Sequence, residues 1–530
     1  MSEKDNHVIE VGTITDNNSE IDNERVIKTQ EADVSLKLFE QYEDQAGELT
    51  SAIESRLKLK IWLRIFPIVF FVNFMLFLDK NAMGYGTLLG LFEDTGLDQA
   101  SYSNTTTIFY VGYLLGQVPS HYIFQRVRMS YYISGTTLIW SIITLLQLTA
   151  SSFSGLAAIR FFLGFFESGV TPCLEHTIAM WFTPPEQAIV APLFWISCIA
   201  QGIPGGLVSY GIQFIPNVRP WKVYWGIIGG MSFILSVTSF FFYPDNPATY
   251  RFFTPVQRVH VIKRIKKHTN SSIEQKTMKK EQVYEALKDP ITWLFAVFVF
   301  LNMMCNNIIF QASIIYKNLG FSNLQSTLVS VASSGWSTVS SIAGSICLSI
   351  FRSQTAHVGT AFLMVALFGG LLCVCLPIHH SYGILAGVFL TNCSGVAFIA
   401  TFSWSQSSSA GYTKRLVRTV IWSISYAVSN FIAPQLWRAK NKPRYYPAWI
   451  VIIICSFTLS PIILQIIRYI LSKRNKERLQ YLENIRLGKT FEDRGHIADV
   501  DDEGNAIERE VDLSMMDLTD LQNKKFIYPL

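Results

Sequence analysis

Long apolar runs constrain this chain more than any other feature. They lie near 63–86, 103–125, 130–150, 156–181, 187–213, 222–243, 290–316, 325–350, 357–378, 382–405, 418–438 and 446–470. A helix rises 1.5 Å per residue, so about 20 residues cross the roughly 30 Å hydrocarbon core of a bilayer. Backbone amides in lipid find no water, so each run must close its hydrogen bonds internally as an α-helix, and the runs are too long for barrel strands. The expected fold is an all-α membrane protein with twelve transmembrane helices. Composition agrees: half of the 530 residues are hydrophobic and only 16% are charged, too little charge for the surface of a water-soluble fold of this length.

The charges gather in two tails and one central segment. The runs divide six and six around residues 244–289, which hold ten Lys and Arg, several of them in "RVHVIKRIKKH". Lys and Arg accumulate on the cytoplasmic side of membrane proteins, so this segment reads as a cytoplasmic loop rather than a nucleic-acid-binding element. Both tails then lie in the cytoplasm as well. The expected division is an acidic tail (1–60), a first six-helix bundle (61–243), the basic central loop (244–289), a second bundle (290–470) and a polar tail (471–530). Residues 1–55 carry 14 acidic and 4 basic residues with no apolar core, which suits a disordered tail and not a secretory signal peptide.

The shorter loops mostly agree with this orientation. "QRVR" (125–128) and "KRLVR" (414–418) fall inside, while "LLGLFEDTGLDQASYS" and "SSFSG", free of Lys and Arg, fall outside. "WRAKNKPR" (437–444) runs against the rule, with four basic residues on the outer side. It is either an external basic patch or a sign that the eleventh run ends elsewhere. All eight cysteines lie within the runs at no metal-ligand spacing, so neither extracellular disulfides nor a zinc site is expected. The central loop gathers no catalytic cluster, so no enzyme activity and no cofactor is expected. Six plus six helices around a basic loop is the layout of a major facilitator fold with two six-helix halves, which binds substrate between them near the midplane.

Charges inside the apolar runs then become the informative residues. A charge at the bilayer centre costs about 2.5–3.5 kcal/mol on insertion scales, so it should pair or face a watery cavity. Away from the run ends they are Asp79 and Lys80 in the first run, and Arg160, Glu167 and Glu175 in the fourth. Within "RFFLGFFESGVTP" (160–172) and just beyond, Arg160, Gly164, Glu167, Thr171 and Glu175 recur at three- and four-residue steps, which places them on one helical face. Gly164 leaves room there for a neighbouring helix or a ligand. An arginine beside carboxylates suits joint binding of a proton and an anion, because burial and the arginine pull a carboxyl in opposite directions and an arriving anion competes for the same arginine. The same pair also suits a structural lock, and Asp79–Lys80 also suits a solvated outer end. A metal site at Glu175–His176 lacks a third ligand.

Weaker polar signals follow. In "NMMCNNIIFQ", Asn302, Asn306 and Gln311 fall roughly on one side of the seventh run, fit for substrate hydrogen bonds or for interhelix bonds. "SVASSGWSTVSSIAGS" (330–345) reads as a close-packing face, and "QGIPGG" (201–206) as a break in the fifth run.

These segments carry a resemblance that covers almost the whole chain. "FLDKNAMGYG" (77–86), "RFFLGFFESGVTP" and "MWFTPPEQ" (180–187) resemble the first- and fourth-helix signatures of the anion:cation symporter family of major facilitators, and within it the fungal allantoate permease group. "NSSIEQK" (270–276), "SSSAGYTKRLVR" (407–418), "FIAPQLWR" (431–438) and "FIYPL" (526–530) are similar to a cysteine-carrying branch of fungal transporters. The resemblance implies proton-driven uptake of a small organic anion or amino acid, with cysteine as the expected substrate. It implies Lys80 and Arg160 as cationic partners and Glu167 as the protonatable acid. Another carboxylate (allantoate, a vitamin or a different sulfur compound) and a non-transporting nutrient sensor are the alternatives.

Two departures qualify it. "HYIFQRVRMSYY" (121–132) lacks the Gly and Asp usual in the facilitator loop motif. Dicarboxylate-carrying relatives place an Arg in the seventh run where this chain has Asn306 and Asn307, which suits a monocarboxylate or a zwitterion. The expected proton-coupling residues are therefore Glu167, Asp79 and Glu175. The expected substrate-binding residues are Arg160, Lys80, Asn306, Asn307, Gln311 and His176. The expected setting is a monomer in the plasma membrane, with the endoplasmic reticulum as the second location.

Overall fold

A computed structural model describes residue 42 and residues 45–124, 126–269, 279–351, 353–487, 489, 495–500, 506–511 and 518–530. Most of the expected acidic tail and the segment "NSSIEQK" lie outside the described residues. Among the described residues, ten helices are long and apolar enough to cross a membrane: Ser51–Gly86, Met129–Thr149, Phe153–Trp181, Ile189–Ile212, Pro220–Phe242, Pro290–Asn318, Thr355–Cys375, Ser381–Ser407, Thr413–Leu436 and Tyr446–Arg486. Two more helices, Gln99–Phe124 and Asn323–Ile350, coincide with the second and eighth runs and complete the twelve. These two are rich in Ser, Thr and Gln because they pack between the halves. The second lies against the fourth and eleventh spans, and the eighth against the fifth. Most of their Ser and Thr hydroxyls bond back to carbonyls of their own helix, as Thr105, Thr106, Ser330, Ser337 and Ser341 do.

The first helix starts at Ser51, earlier than the apolar run, and the twelfth continues to Arg486. Beyond it, Gly495–Val500 and Ala506–Val511 form an antiparallel pair. Several spans break or change register midway, among them the first at Ile65, the tenth at Asn392–Cys393 and the twelfth in a π-helical stretch at Ile453–Leu459. The fourth turns at Ser168–Gly169, the fifth at Gln201 within "QGIPGG", and the seventh passes through a 3-10 turn at Met304–Asn306. The room beside Gly164 belongs to a helix: a Cβ there would stand 2.0 Å from the Phe109 carbonyl oxygen. Gly112 and Gly116 of the second span face the Phe161 and Phe165 carbonyls at 2.0 and 2.3 Å in the same sense. The second and fourth spans therefore meet backbone to backbone, as small residues allow in lipid.

The two ends of the bundle differ. At the end opposite the tails, hydrogen bonds cross between the halves. Tyr445 donates to Gln99 Oε1 at 2.8 Å, Gln435 to Asn104 and Thr107 at 3.0 and 2.9 Å, and Lys317 to the Thr87 carbonyl at 2.8 Å. At the tail end each half keeps its own charge cluster. In the first half Arg264 pairs with Glu186 and, at 3.6 Å, with Glu54, while Glu186 also accepts from the Thr183 amide in a capping box that starts the fifth span. "WRAKNKPR" sits at the end opposite the tails. Trp437 and Tyr445 are buried in the seam, Arg438, Lys440 and Lys442 are exposed, and Arg444 donates to carbonyls that end the ninth span.

Candidate substrate and proton site

The first and fourth spans bring Asp79, Lys80, Arg160 and Glu167 together, all at 5% exposure or less. This excludes a solvated outer end for Asp79–Lys80. Thr144 of the third span donates to Asp79 Oδ2 at 2.9 Å. Lys80 Nζ stands 3.9 Å from Glu167 Oε2, an ion pair without a hydrogen bond. Its ammonium also faces the rings of Phe77 at 4.6 Å and Tyr113 at 5.1 Å. Arg160 lies 5.7 Å from the ring of Trp225 and within electrostatic reach of Asp79 and Glu167.

What distinguishes this group is how little of it is satisfied. Among the described residues, Arg160 Nε and Nη2, Asp79 Oδ1 and both Glu167 oxygens have no hydrogen-bond partner. Buried charged groups are normally paired and bonded, because leaving one unbonded costs several kcal/mol. Lys80, Arg160, Thr105, Thr106, Met83 and Phe109 of the first half and Phe310 of the second line a cavity of about 20 Å³, room for about one water. Phe310 also ties the halves together here, its carbonyl accepting from Tyr102 at 2.7 Å.

The other expected residues divide. Asn307 and Gln311, in the turn before and the turn after Phe310, are buried with amides unpartnered among the described residues, as is Asn302. Asn306 is instead bonded to Asn430 Oδ1 of the eleventh span at 2.7 Å. Asn307 and Gln311, four residues apart in the helix Asn307–Asn318, share its interior face, and Asn306, in the 3-10 turn Met304–Asn306, does not. Glu175 and His176 do not join the cluster. Both are half-buried beyond the register change at Ser168–Gly169, and His176 packs near Phe124, 6.4 Å between rings. The single polar stripe expected from Arg160 to Glu175 is interrupted there. Gly169 fixes the interruption, since a Cβ would meet Tyr132 and Ser120.

Charge within the runs does not reveal the neutral members, Thr144, Thr105, Thr106 and Trp225, because threonine and tryptophan are unremarkable in an apolar run. Nor does it reveal a second buried cluster, which forms at run ends. Asp289 lies 3.2 Å from Lys414, 3.3 Å from Arg418 and 2.9 Å from Arg474. Burial alone would push its carboxyl up, but these three cations hold it below its ordinary value of 3.8.

Buried, partly unsatisfied charges facing a cavity lined by both halves of a two-bundle helical membrane protein define a secondary transporter. The sequence profile of the Major Facilitator Superfamily matches residues 69–434, and the chain belongs to that superfamily. It is 40% identical to an uncharacterized transporter of Schizosaccharomyces pombe over 93% of this chain and 87% of that one. It is 39% identical to the high affinity cysteine transporter of Saccharomyces cerevisiae over 96% of this chain and 97% of that one. Among solved structures it resembles a bacterial homolog of the human lysosomal transporter Spinster in an inward-facing, occupied conformation. The TM-score is 0.52 and the identity 13%, covering 77% of this chain and 96% of that one. The chain is thus a membrane transporter and not an enzyme.

Proposed function

We propose that this transporter is a proton-coupled symporter of a small organic anion or amino acid, with cysteine as substrate. Arg160 and Lys80 receive the substrate's carboxylate, Glu167 carries the proton, and Asp79 assists it. The observation that supports this is a set of buried, unsatisfied groups: a guanidinium with free donors that lines the cavity, and a carboxyl with free acceptors that pairs with the cavity-lining Lys80. With all four groups ionised, the site is neutral. An entering carboxylate adds one negative charge where charge is expensive, and a proton taken up by Glu167 restores the balance. A zwitterion acts similarly, because its carboxylate competes with Glu167 and Asp79 for the same two cations. The guanidinium's planar fork matches a carboxylate, while Asn307 and Gln311 suit the neutral or ammonium remainder. Glu175 and His176 have no part in this step.

Cysteine is supported by the relative that carries that name and by the asparagines that stand in the seventh span. Because both halves of one chain line the cavity, a monomer suffices. The distribution of loop Lys and Arg supports cytoplasmic tails and a cytoplasmic central segment, and uptake from outside the cell calls for the plasma membrane. The test is uptake of labelled cysteine by cells lacking their own carriers, with and without a protonophore, against cysteine methyl ester and a panel of acids. Accumulation should need the proton gradient, and the free acid should compete far better than the ester. Absence of cysteine uptake would refute the substrate, and gradient-independent accumulation would refute the coupling.

A further inference from the structure

We infer that the segment Thr519–Leu530 is a working part of the transporter, and that Asp520 within it is a positioning residue for the eleventh span. After the twelfth helix the chain returns to the tail end of its own half and docks there. Asp520, fully buried, stands 2.9 Å from Lys414 Nζ and accepts from the Tyr528 hydroxyl at 2.8 Å. Tyr528 exchanges two hydrogen bonds with Asn475 of the twelfth span, at 2.8 and 2.9 Å, and its ring lies 4.2 Å from the Arg478 guanidinium. The Trp404 indole of the tenth span donates to the Pro529 carbonyl at 2.8 Å, and the Thr355 amide of the ninth to the Leu530 carbonyl at 3.1 Å. Thr519 donates to Glu285 at 2.8 Å, in the short helix Lys280–Lys288 that precedes the seventh span. Twelve residues thus join four spans and a connecting helix.

Charge explains why the docking matters. Lys414, Arg418 and Arg474 face Glu285, Asp289 and Asp520, three cations against three carboxylates. The side chains of Lys414 and Arg418 are at most 1% exposed. Without Asp520 the cluster holds one cation too many around the buried Lys414 and Arg418, and an uncompensated buried charge drives its helix to move. Lys414 and Arg418 start the eleventh span. The same helix carries Tyr426, whose ring meets Tyr110 and Tyr113 of the first half, and Asn430, bonded to Asn306. The segment's one acidic side chain therefore sets the seating of a helix through which the second half meets the first.

The experiment compares the full-length chain with Asp520→Asn, Asp520→Glu, Lys414→Gln and the double variant Asp520→Asn/Lys414→Gln, which again has equal numbers of cations and carboxylates. Amide exchange over 519–530 in purified protein should be slow in the parent and in Asp520→Glu, and faster by about tenfold or more in Asp520→Asn. Maximal uptake of labelled cysteine per molecule at the cell surface should fall about tenfold in Asp520→Asn with KM within about twofold. The double variant should recover both readouts to within about threefold of the parent, the coupling expected of charges in one network. Should Asp520→Asn fail to accumulate in the membrane, recovery of accumulation in the double variant supports the inference equally. Free-peptide exchange in the parent, unchanged uptake in Asp520→Asn, or a double variant as impaired as the two singles combined would each overturn the inference. The uptake readout rests on the proposed substrate. A parent chain that takes up no cysteine sinks that proposal, and the exchange measurements then decide this one.

Discussion

Two clusters of buried charge lie in the two halves of this transporter, and they are built to opposite rules. Around Asp289, both carboxylate oxygens are taken: Oδ1 by Arg474 and the Ile291 amide, Oδ2 by Lys414 and Arg418. Around Arg160, two guanidinium nitrogens and both Glu167 oxygens have no hydrogen-bond partner among the described residues, and the nearest ion pair spans 3.9 Å. The Asp289 carboxylate is saturated, and among the cations around it Arg418 Nε has no hydrogen-bond partner among the described residues. An unsaturated cluster at the same burial stores a cost that only a ligand, a proton or a conformational change relieves. Degree of satisfaction separates the Asp289 carboxylate from the candidate site. The buried Arg264–Glu186 pair, whose Arg264 Nε and Nη1 also lack hydrogen-bond partners among the described residues, differs from that site in lying at the tail end and not beside the cavity.

The sharpest way to break this comparison is to remove one charge from each cluster. Asp289→Ala leaves Lys414 and Arg418 buried without their shared carboxylate. It should destabilise the protein by about 3–5 kcal/mol, read as a lowered unfolding midpoint in detergent or as loss of protein from the membrane. Arg160→Ala should disturb folding less than Asp289→Ala, since that guanidinium has no hydrogen bond to lose among the described residues and the carboxylate left without a cation can take up a proton, and should abolish uptake. If Arg160→Ala unfolds the protein while Asp289→Ala does not, the assignment of structural and functional roles is reversed.

A milder change sharpens the functional half. Arg160→Lys keeps the charge and loses the two-pronged donor. It should raise KM for a carboxylate substrate by about tenfold, the loss of one charged hydrogen bond of roughly 1.5 kcal/mol, with the unfolding midpoint unchanged. Equal uptake by Arg160→Lys would show that the site reads charge and not geometry, and would leave the lock reading of Arg160 and Glu167 standing.

The fold and the core of the candidate site were legible in the sequence for the same reason. Apolar runs are conspicuous, and so is a charge inside one, so the twelve spans and the group Asp79, Lys80, Arg160 and Glu167 could be found by inspection. What was hidden depended on local turns and distant pairing. The register change at Ser168–Gly169 separates Glu175 and His176 from Arg160, and a helical wheel cannot show it. Asn307 and Gln311 share a face at an ordinary four-residue step, so a wheel does place that pair, while the bond of Asn306 to Asn430 depends on distant packing. Arg418, Asp289 and Asp520 each sit at the end of a run or in a tail, where charge is ordinary, and their partners lie more than a hundred residues away.

Acidity tests the saturated cluster more gently. Asp289 is held below its ordinary value of 3.8 by the cations around it. A group whose folded pKa is depressed contributes stability that is present above the unfolded value and lost as pH falls through the folded one. The unfolding midpoint should therefore show no Asp289 contribution to its slope between about pH 7 and 5, with the loss beginning only near and below about 4. Measuring the midpoint against pH for the parent and for Asp289→Asn isolates this: the two curves should run parallel above about pH 5 and converge below. Convergence already near pH 6 would mean that the three cations do not hold the carboxylate as described.

The smallest expected effect concerns a third arrangement, charge that is fully wet. Arg438, Lys440 and Lys442 are exposed on the loop opposite the tails, near the seam that Trp437 and Tyr445 close. Exposed charges contribute about 0–1 kcal/mol and are screened over roughly 8 Å at physiological salt. Their reach is to the approach of an anion from that side, not to its binding. Lys440→Gln/Lys442→Gln should raise KM by no more than about threefold at low ionic strength, and the difference should vanish as salt is added. The unfolding midpoint should not move. A tenfold effect that persists in salt would mean that these lysines touch the substrate, and the division between buried, unsatisfied charge as site and exposed charge as surroundings would fail at this loop.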